Sequence, residues 1–326
     1  MMHGTAYLQL MLAYGIGPKG IMRLLGRLQR EDRSIEEFVD TPVSELTTDY
    51  GLGSDTAASI GEMRKESELI AQELENHGIQ TLVRGLEGYP TRLEHVLGQD
   101  APPIIFAAGN LNVMEMKSVG ICGARKATDR GCEAARRCAE VFSRADVNIV
   151  SGNAPGVDIS AHYGALAAGG TTTFVLATGI LHFTARAGFE DVIGEDNYLV
   201  MSEFSPRTGW HAHNAMQRNK TVCGMSNAII LVEPGLKGGT FAAGTAALQL
   251  QRPLFVVDYD DARSIAKGNM YFIDRGARTL DSDRIGSEEL AIVMCSLDTK
   301  LDRPVQSSLF ESLDSIDPRK TSGSEN

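Results

Sequence analysis

A chain that runs an apolar strand into the turn Gly120-Ile121-Cys122-Gly123-Ala124-Arg125, and repeats the move one strand-helix unit later at Ser151-Gly152-Asn153-Ala154-Pro155-Gly156-Val157-Asp158, has few folds open to it. Such turns sit where strand carboxyl ends meet helix N-termini. Neighbouring parallel strands then bring both to one edge of a sheet, where backbone N–H groups and two helix dipoles converge on a single ledge. That ledge suits phosphate oxygens, and so a nucleotide or a nucleic-acid backbone. Gly152 and Gly156 fit positions of close anion approach or positive φ. They fit plain tight turns as well, and the residues alone leave both readings open.

Apolar runs alternate with amphipathic segments from residue 118 onward. Strands are expected at 118–122, 148–150, 172–176, 198–201, 228–232 and 254–257, with helices at 129–143, 158–168 and 241–250. This pattern predicts an α/β fold with a Rossmann-like, mostly parallel sheet covered by helices on both faces, spanning residues 118–297. Ahead of it, residues 1–85 read as a small helical domain. Tyr14-Gly15-Ile16-Gly17-Pro18 introduces Ile21, Leu24, Leu25 and Leu28 at helical spacing, and Tyr50-Gly51-Leu52-Gly53-Ser54 repeats the arrangement before Ala57, Ile60 and Met63. Such Gly-hydrophobe-Gly turns resemble helix-hairpin-helix elements of a SAM-like domain, which serve either as DNA contacts or as purely structural turns. Residues 86–117 are expected to connect the two domains, because Gly88-Tyr89-Pro90 and Ala101-Pro102-Pro103 block helix and favour extended chain. After residue 297 the composition turns to Ser, Asp, Pro and Lys, and a flexible tail is expected over 298–326.

The net charge of −11 argues against a protein that coats nucleic acid by bulk electrostatics, so any such site must be a local patch. The candidate patch holds Arg186, Arg207, His211, His213, Arg218 and Lys220, interleaved with Phe183, Phe189, Phe204 and Trp210. Basic residues release counterions and aromatics stack on unpaired bases; the other reading is a solvated loop with core aromatics. The five cysteines form no Cys-x-x-Cys pair, so neither a metal site nor a disulfide framework is expected, and no cofactor is implied. A secretory pattern and an apolar run of membrane-spanning length are both missing from the sequence, and a cytoplasmic location without a membrane partner is expected.

These residues, taken in order, resemble the DprA/Smf family. The similarity runs through Gly88-Tyr89-Pro90 with Pro102-Pro103, Gly123-Ala124-Arg125, Ser151-Gly152 with Gly156-Val157-Asp158, Ala161-His162 with Gly164-Ala165-Leu166, and Ser202-Glu203. It continues through Arg218-Asn219-Lys220 with Gly224-Met225-Ser226, Glu233, Gly239-Thr240, and Gly268-Asn269 with Gly276-Ala277. The resemblance implies an extended Rossmann fold behind a helical domain, binding to single-stranded DNA, a homodimer, and loading of the RecA recombinase. It implies phosphate or DNA contacts at Gly123, Ala124, Arg125, Ser151, Gly152, Asn153, Gly156, Arg186, Arg218, Asn219, Lys220, Gly239 and Thr240. Arg125 carries the most weight, since a guanidinium grips phosphate bidentately. Two departures stand out: Pro155 replaces the family's usual basic residue and its N–H donor, and Lys220 stands where Arg is more usual.

Asp158 and His162 lie one helical turn apart and invite an acid-base reading. The competing reading makes Asp158 a helix cap and His162 a hydrogen-bond partner of a neighbouring loop. Glu203 and Glu233 follow strands and are expected to order the basic loops. An enzyme alternative comes from LOG-type phosphoribohydrolases, which cleave nucleoside monophosphates with a Pro-Gly-Gly-x-Gly-Thr loop and a Glu close behind. Here Pro234-Gly235-Leu236-Lys237-Gly238-Gly239-Thr240 is a blurred version, and Ala242 and Ala243 occupy the place of that carboxylate, so no enzyme is expected. A nucleotide-binding regulator is the third reading. In the tail, Gln306-Ser307-Ser308-Leu309-Phe310 resembles the peptide that docks on the bacterial sliding clamp, with Gln306 at the rim and Leu309 and Phe310 as anchors. Packing of Leu309 and Phe310 on the main domain is the other reading.

Overall fold

The structure, a computed structural model, describes residues 3–259 and 267–297. Nine strands make one sheet among the described residues: β1 (Gln80–Val83), β2 (Ile104–Gly109), β3 (Ser118–Gly123), β4 (Asn148–Ser151), β5 (Thr172–Val175), β6 (Tyr198–Ser202), β7 (Ala228–Val232), β8 (Leu254–Asp258) and β9 (Arg278–Asp281). Their order is β1-β2-β6-β5-β4-β3-β7-β8-β9. From β6 to β9 every neighbouring pair is parallel, while β1 with β2 and β2 with β6 are antiparallel. The order reverses at β3, which lies between β4 and β7; in open α/β sheets the crevice beyond that point holds the ligand. The central strands are buried on both faces, and Ala228 to Val232 is a continuous buried apolar run, as parallel strands between two helical layers require.

Thirteen α-helices accompany the sheet among the described residues: α1 (His3–Leu12), α2 (Pro18–Arg30), α3 (Ile35–Val39), α4 (Val43–Thr48), α5 (Ser54–Glu62), α6 (Arg64–Asn76), α7 (Thr91–Leu97), α8 (Asp129–Ser143), α9 (Val157–Ala167), α10 (Ala212–Met225), α11 (Gly239–Gln249), α12 (Lys267–Ile273) and α13 (Ser287–Leu297). On one face α8, α9 and α13 bring Ala134, Phe142, Ala161 and Val293 against Val119, Ile149, Ile230 and Phe255. On the other, α7, α10, α11 and α12 bring Leu93, Val222, Ala243 and Phe272 against Ile229, Leu231 and Val256. Strand alternation explains the division: Ile121 points to the first core and Cys122 to the second.

The N-terminal helices do not close a core of their own. Leu8, Leu10, Phe38, Ile60 and Ile70 share one apolar cluster with Ile104, Phe106, Phe174 and Val200 of the sheet. The two glycine turns do repeat in space, with Gly15 at φ 81 and Gly51 at φ 65, each followed by a glycine cap of the next helix. The first turn packs on α5, where a Cβ on Gly15 would stand 2.6 Å from Thr56 Oγ1.

Residues 86–117, expected as a connector, are instead built into the domain. They hold α7 and β2, and β2 joins the sheet between β1 and β6. The prolines dominated the sequence reading, yet Pro103 is followed by Ile104, Ile105, Phe106 and Ala107, all fully buried. Tyr89 donates its hydroxyl to the Pro102 carbonyl at 2.7 Å, so the two proline motifs fasten each other. None of the five cysteines is in a disulfide, and no described helix is long and apolar enough to cross a membrane. The clamp-type peptide with Gln306, Leu309 and Phe310 lies outside the described residues.

Gly164 lets α8 and α9 approach closely, because a Cβ there would run into the Arg136 carbonyl. In an open helix, Gly→Ala stabilises by about 1 kcal/mol. Here Gly164→Ala is expected to destabilise by about 1–3 kcal/mol, since backbone cannot yield as a side chain does. Chemical denaturation checks it, and an unchanged or higher midpoint would refute the packing argument.

Candidate nucleic-acid interface

The two turns leave β3 and β4 side by side and interlock. Val157 donates its N–H to the Ala124 carbonyl at 3.4 Å, and Gly156 adopts φ 84 with its Cα facing that carbonyl. A Cβ on Gly156 would stand 2.5 Å from Ala124 O and 2.8 Å from Arg125 O, and one on Gly123 would overlap the Val157 side chain. Both glycines therefore serve the approach of one loop to the other. Gly152 does something different: a Cβ there would occupy the place of the Arg218 guanidinium.

Arg218 reaches that place from α10 and faces Asp158 in the first turn of α9, with Nη1 3.7 Å from Oδ2 and both side chains buried. Burial holds the Asp158 carboxyl above its ordinary value, against the opposing pull of Arg218 and of the Ala154 N–H at 3.3 Å. Arg218 Nε is buried without a hydrogen-bond partner. Next to it, Asn219 donates its amide to the Gly239 carbonyl at 2.9 Å, tying α10 to the N-terminus of α11, where Gly238 has φ 95.

Arg125 is exposed, and its guanidinium lies 5.0 Å from the ring centroid of Trp210 in the β6–α10 loop. Trp210 is 53% exposed, so the indole keeps surface free for a further ligand. The cleft beside this stack has two lobes. One, of about 260 Å³, is lined by Gly123, Arg125, Asp158, Arg218, Asn219 and Thr240 among others. The second, of about 380 Å³, is lined by Arg125, Asn153, Pro155, His182, Arg186 and Trp210 among others. Arg186 sits on its rim and donates to the Asn153 carbonyl at 3.0 Å.

The fold gathers Gly123, Arg125, Asn153, Arg186, Arg218, Asn219, Gly239 and Thr240 around this cleft. Ala124, Gly152 and Gly156 shape the turns beneath it. Ser151 is buried, and its hydroxyl donates to the Ile121 carbonyl at 2.6 Å, bracing β4 against β3. Lys220 turns toward Asp100 at 3.6 Å. Arg207 pairs with Glu66 and Glu73 of α6. Phe189 and Phe204 are buried and Phe183 packs against the same apolar cluster as Phe189, which leaves Trp210 as the exposed aromatic of the expected patch. On α10, Ala212, Ala215, Met216 and Asn219 share the face toward the cleft; the 3–4 spacing of this stripe is a signal that the sequence reading passed over.

His162 does not act with Asp158 as an acid-base pair. It is fully buried, stacks on Phe174 at 3.8 Å, faces Thr172 Oγ1 at 2.6 Å through Nδ1 and donates from Nε2 to the Gly152 carbonyl. Burial pushes its pKa down to about 3, so the neutral ring holds the second turn in place. Glu203 accepts from Gln217 at 2.6 Å and Thr221 at 2.7 Å and so seats α10. Glu233, at φ 51, accepts from the Thr128 N–H at 2.9 Å and from its hydroxyl, tying the start of α8 to the end of β7.

The site is thus an anion-ready ledge with an aromatic platform, and its buried carboxylate is already committed to a guanidinium. The chain is 29% identical over 196 residues to DNA processing protein DprA of Streptococcus pneumoniae, covering 60% of this chain and 68% of the relative. It is 28% identical over 216 residues to DprA of Bacillus subtilis, covering 65% and 72%. Among solved structures, DprA of S. pneumoniae superposes with a TM-score of 0.70 at 20% identity, covering 90% of this chain and 98% of that one. DNA processing protein A of Helicobacter pylori, solved for its single-stranded DNA binding mode, gives a TM-score of 0.56 at 24% identity, covering 67% and 96%. The model of the family described as DNA recombination-mediator protein A matches residues 80–290, well over half of the sequence, and the chain belongs to that family.

Proposed function

We propose that this chain binds single-stranded DNA in the cleft over β3 and, as a homodimer, hands it to the RecA recombinase. The observation that carries the reading is the Arg125–Trp210 stack beside Arg218, directly above the two interlocked turns. Phosphate oxygens meet Arg125 and the N-terminus of α11, while an unpaired base finds the free surface of the indole. Paired bases keep their faces inside the duplex, so the platform favours single strands. At a net charge of −11 the binding energy has to come from this spot and not from the surface at large. The H. pylori relative supports the reading by its single-stranded DNA binding. RecA and the homodimer rest on the family resemblance.

The chain is proposed to act without catalysis. Of the carboxylates near the turns, Asp158 is paired with Arg218 and Glu233 is held by Thr128. Ala243, at one of the two positions where a phosphoribohydrolase needs its carboxylate, is 1% exposed in the core under α11.

Titration with single-stranded DNA, double-stranded DNA and mononucleotides at several salt concentrations tests the whole reading. In that assay Arg125→Ala is expected to weaken single-strand binding by about 1.5–3 kcal/mol and to flatten the salt dependence. Unchanged affinity and slope in the folded variant would sink the assignment. Pro155 is exposed in the second lobe, and Pro155→Lys is expected to tighten binding with a salt slope steeper by about one unit. A flat response there means that this turn does not face DNA. Purine and pyrimidine nucleoside monophosphates incubated with the protein should release no free base above background. Turnover abolished by Glu233→Gln would favour the hydrolase instead.

A further inference from the structure

Arg207 belongs to the loop that leads from β6 into α10, and its side chain crosses to the N-terminal helices. Nη1 lies 2.6 Å from Glu66 Oε1, and Nη2 and Nε lie 2.7 and 3.0 Å from Glu73 Oε2. Glu66 and Glu73 stand roughly two helical turns apart on one face of α6, so a single guanidinium fork spans them. From the other side the loop backbone is fixed to the segment after β5. Thr208 O accepts from Gly179 N at 2.8 Å, and Pro206 O accepts from Leu181 N at 3.1 Å. The Arg207 carbonyl accepts from His182 Nε2 at 3.0 Å. Gly179 has to be glycine, because a Cβ would collide with the Ser205 and Pro206 carbonyls. Three residues past Arg207 comes Trp210, on which Arg125 stacks.

We propose that Arg207 is a positioning residue: by clasping Glu66 and Glu73 it holds the loop that carries Trp210, so the N-terminal helices set the aromatic platform of the DNA cleft. The inference deepens the reading of the cleft as a DNA site and rests on it. A clasp with half-exposed partners is weak and yields to salt, which makes it adjustable and not merely structural. It also separates two effects that usually travel together. Removing the two carboxylates takes negative charge away from the neighbourhood of the cleft, which by electrostatics alone tightens DNA binding. It also frees the loop, which by positioning weakens binding.

Trp210 is the chain's single tryptophan, so its fluorescence reports this loop and nothing else. In the full-length protein without DNA, Glu66→Gln with Glu73→Gln is expected to roughly double the acrylamide quenching of Trp210, since the loop opens locally while the core stays folded. Affinity for single-stranded oligonucleotides should fall roughly fivefold despite the lost negative charge, as a misplaced stacking platform loses part of its contact. The full charge swap, Arg207→Glu with Glu66→Arg and Glu73→Arg, is expected to bring the quenching back toward wild type. Unchanged quenching in the Gln variant, or tighter DNA binding with no change in quenching, overturns the proposal. If quenching rises and is restored by the swap while the wild-type protein binds no DNA, the clasp stands and the DNA reading of the cleft is what fails.

Discussion

Everything at the cleft is arranged around one buried ion pair, Arg218 with Asp158. A guanidinium taken out of water needs compensation, and an unpartnered one would be strongly destabilising. Asp158 supplies it from the first turn of α9, but only because the chain at Gly152 has no side chain to block the approach. His162 then fixes the Gly152 carbonyl from below, and its neutral imidazole adds no charge to a place that already holds two. The second turn takes its shape from this packing, and the first is locked to it where Gly156 and Val157 meet the Ala124 carbonyl. The pair keeps a 3.7 Å separation and leaves Arg218 Nε buried and unbonded, so the guanidinium is compensated by charge and not by a full set of hydrogen bonds.

Around that pair the molecule divides labour between rigid and adjustable parts. Arg218 and Asn219 sit on a helix held by Glu203, and the first turn is anchored through Thr128 to Glu233. These contacts are buried or partly buried and keep the ledge in shape. Arg125, Trp210 and Arg186 are exposed and lean on loops, so they are the groups free to follow a ligand.

The sheet and its two turns were legible because parallel strands write themselves as apolar runs and the turns as glycine clusters. The connector misread at residues 86–117 shows the limit: proline bars a helix interior but says nothing against a helix that starts just after it, as α7 does at Thr91, or a buried strand that starts one residue later, at Ile104. At the site, residue type was a better guide than sequence neighbourhood. Arg125, Arg218 and Asn219 meet at the cleft, but Lys220, one step along the same helix, turns some 100° away and meets Asp100. Arg207 has the same charge as Arg186 and lies near it in the expected patch, yet the acidic face of α6 claims it. That pairing joins residues far apart in the chain, and no local pattern announces it.

Because strand order reverses at β3, the cleft is assembled from five separate stretches: the turns after β3 and β4, the segment after β5 that carries His182 and Arg186, the loop with Trp210 that runs into the start of α10, and the start of α11. None of them can occupy its place until β3 has paired with β4 on one side and β7 on the other, and β7 joins only after the chain has passed through β5, β6 and α10. Such long-range parallel pairing forms late in folding. The ledge therefore cannot form in a chain that stops before β7 and α11, and a polypeptide still emerging from synthesis has no cleft with which to capture its ligand.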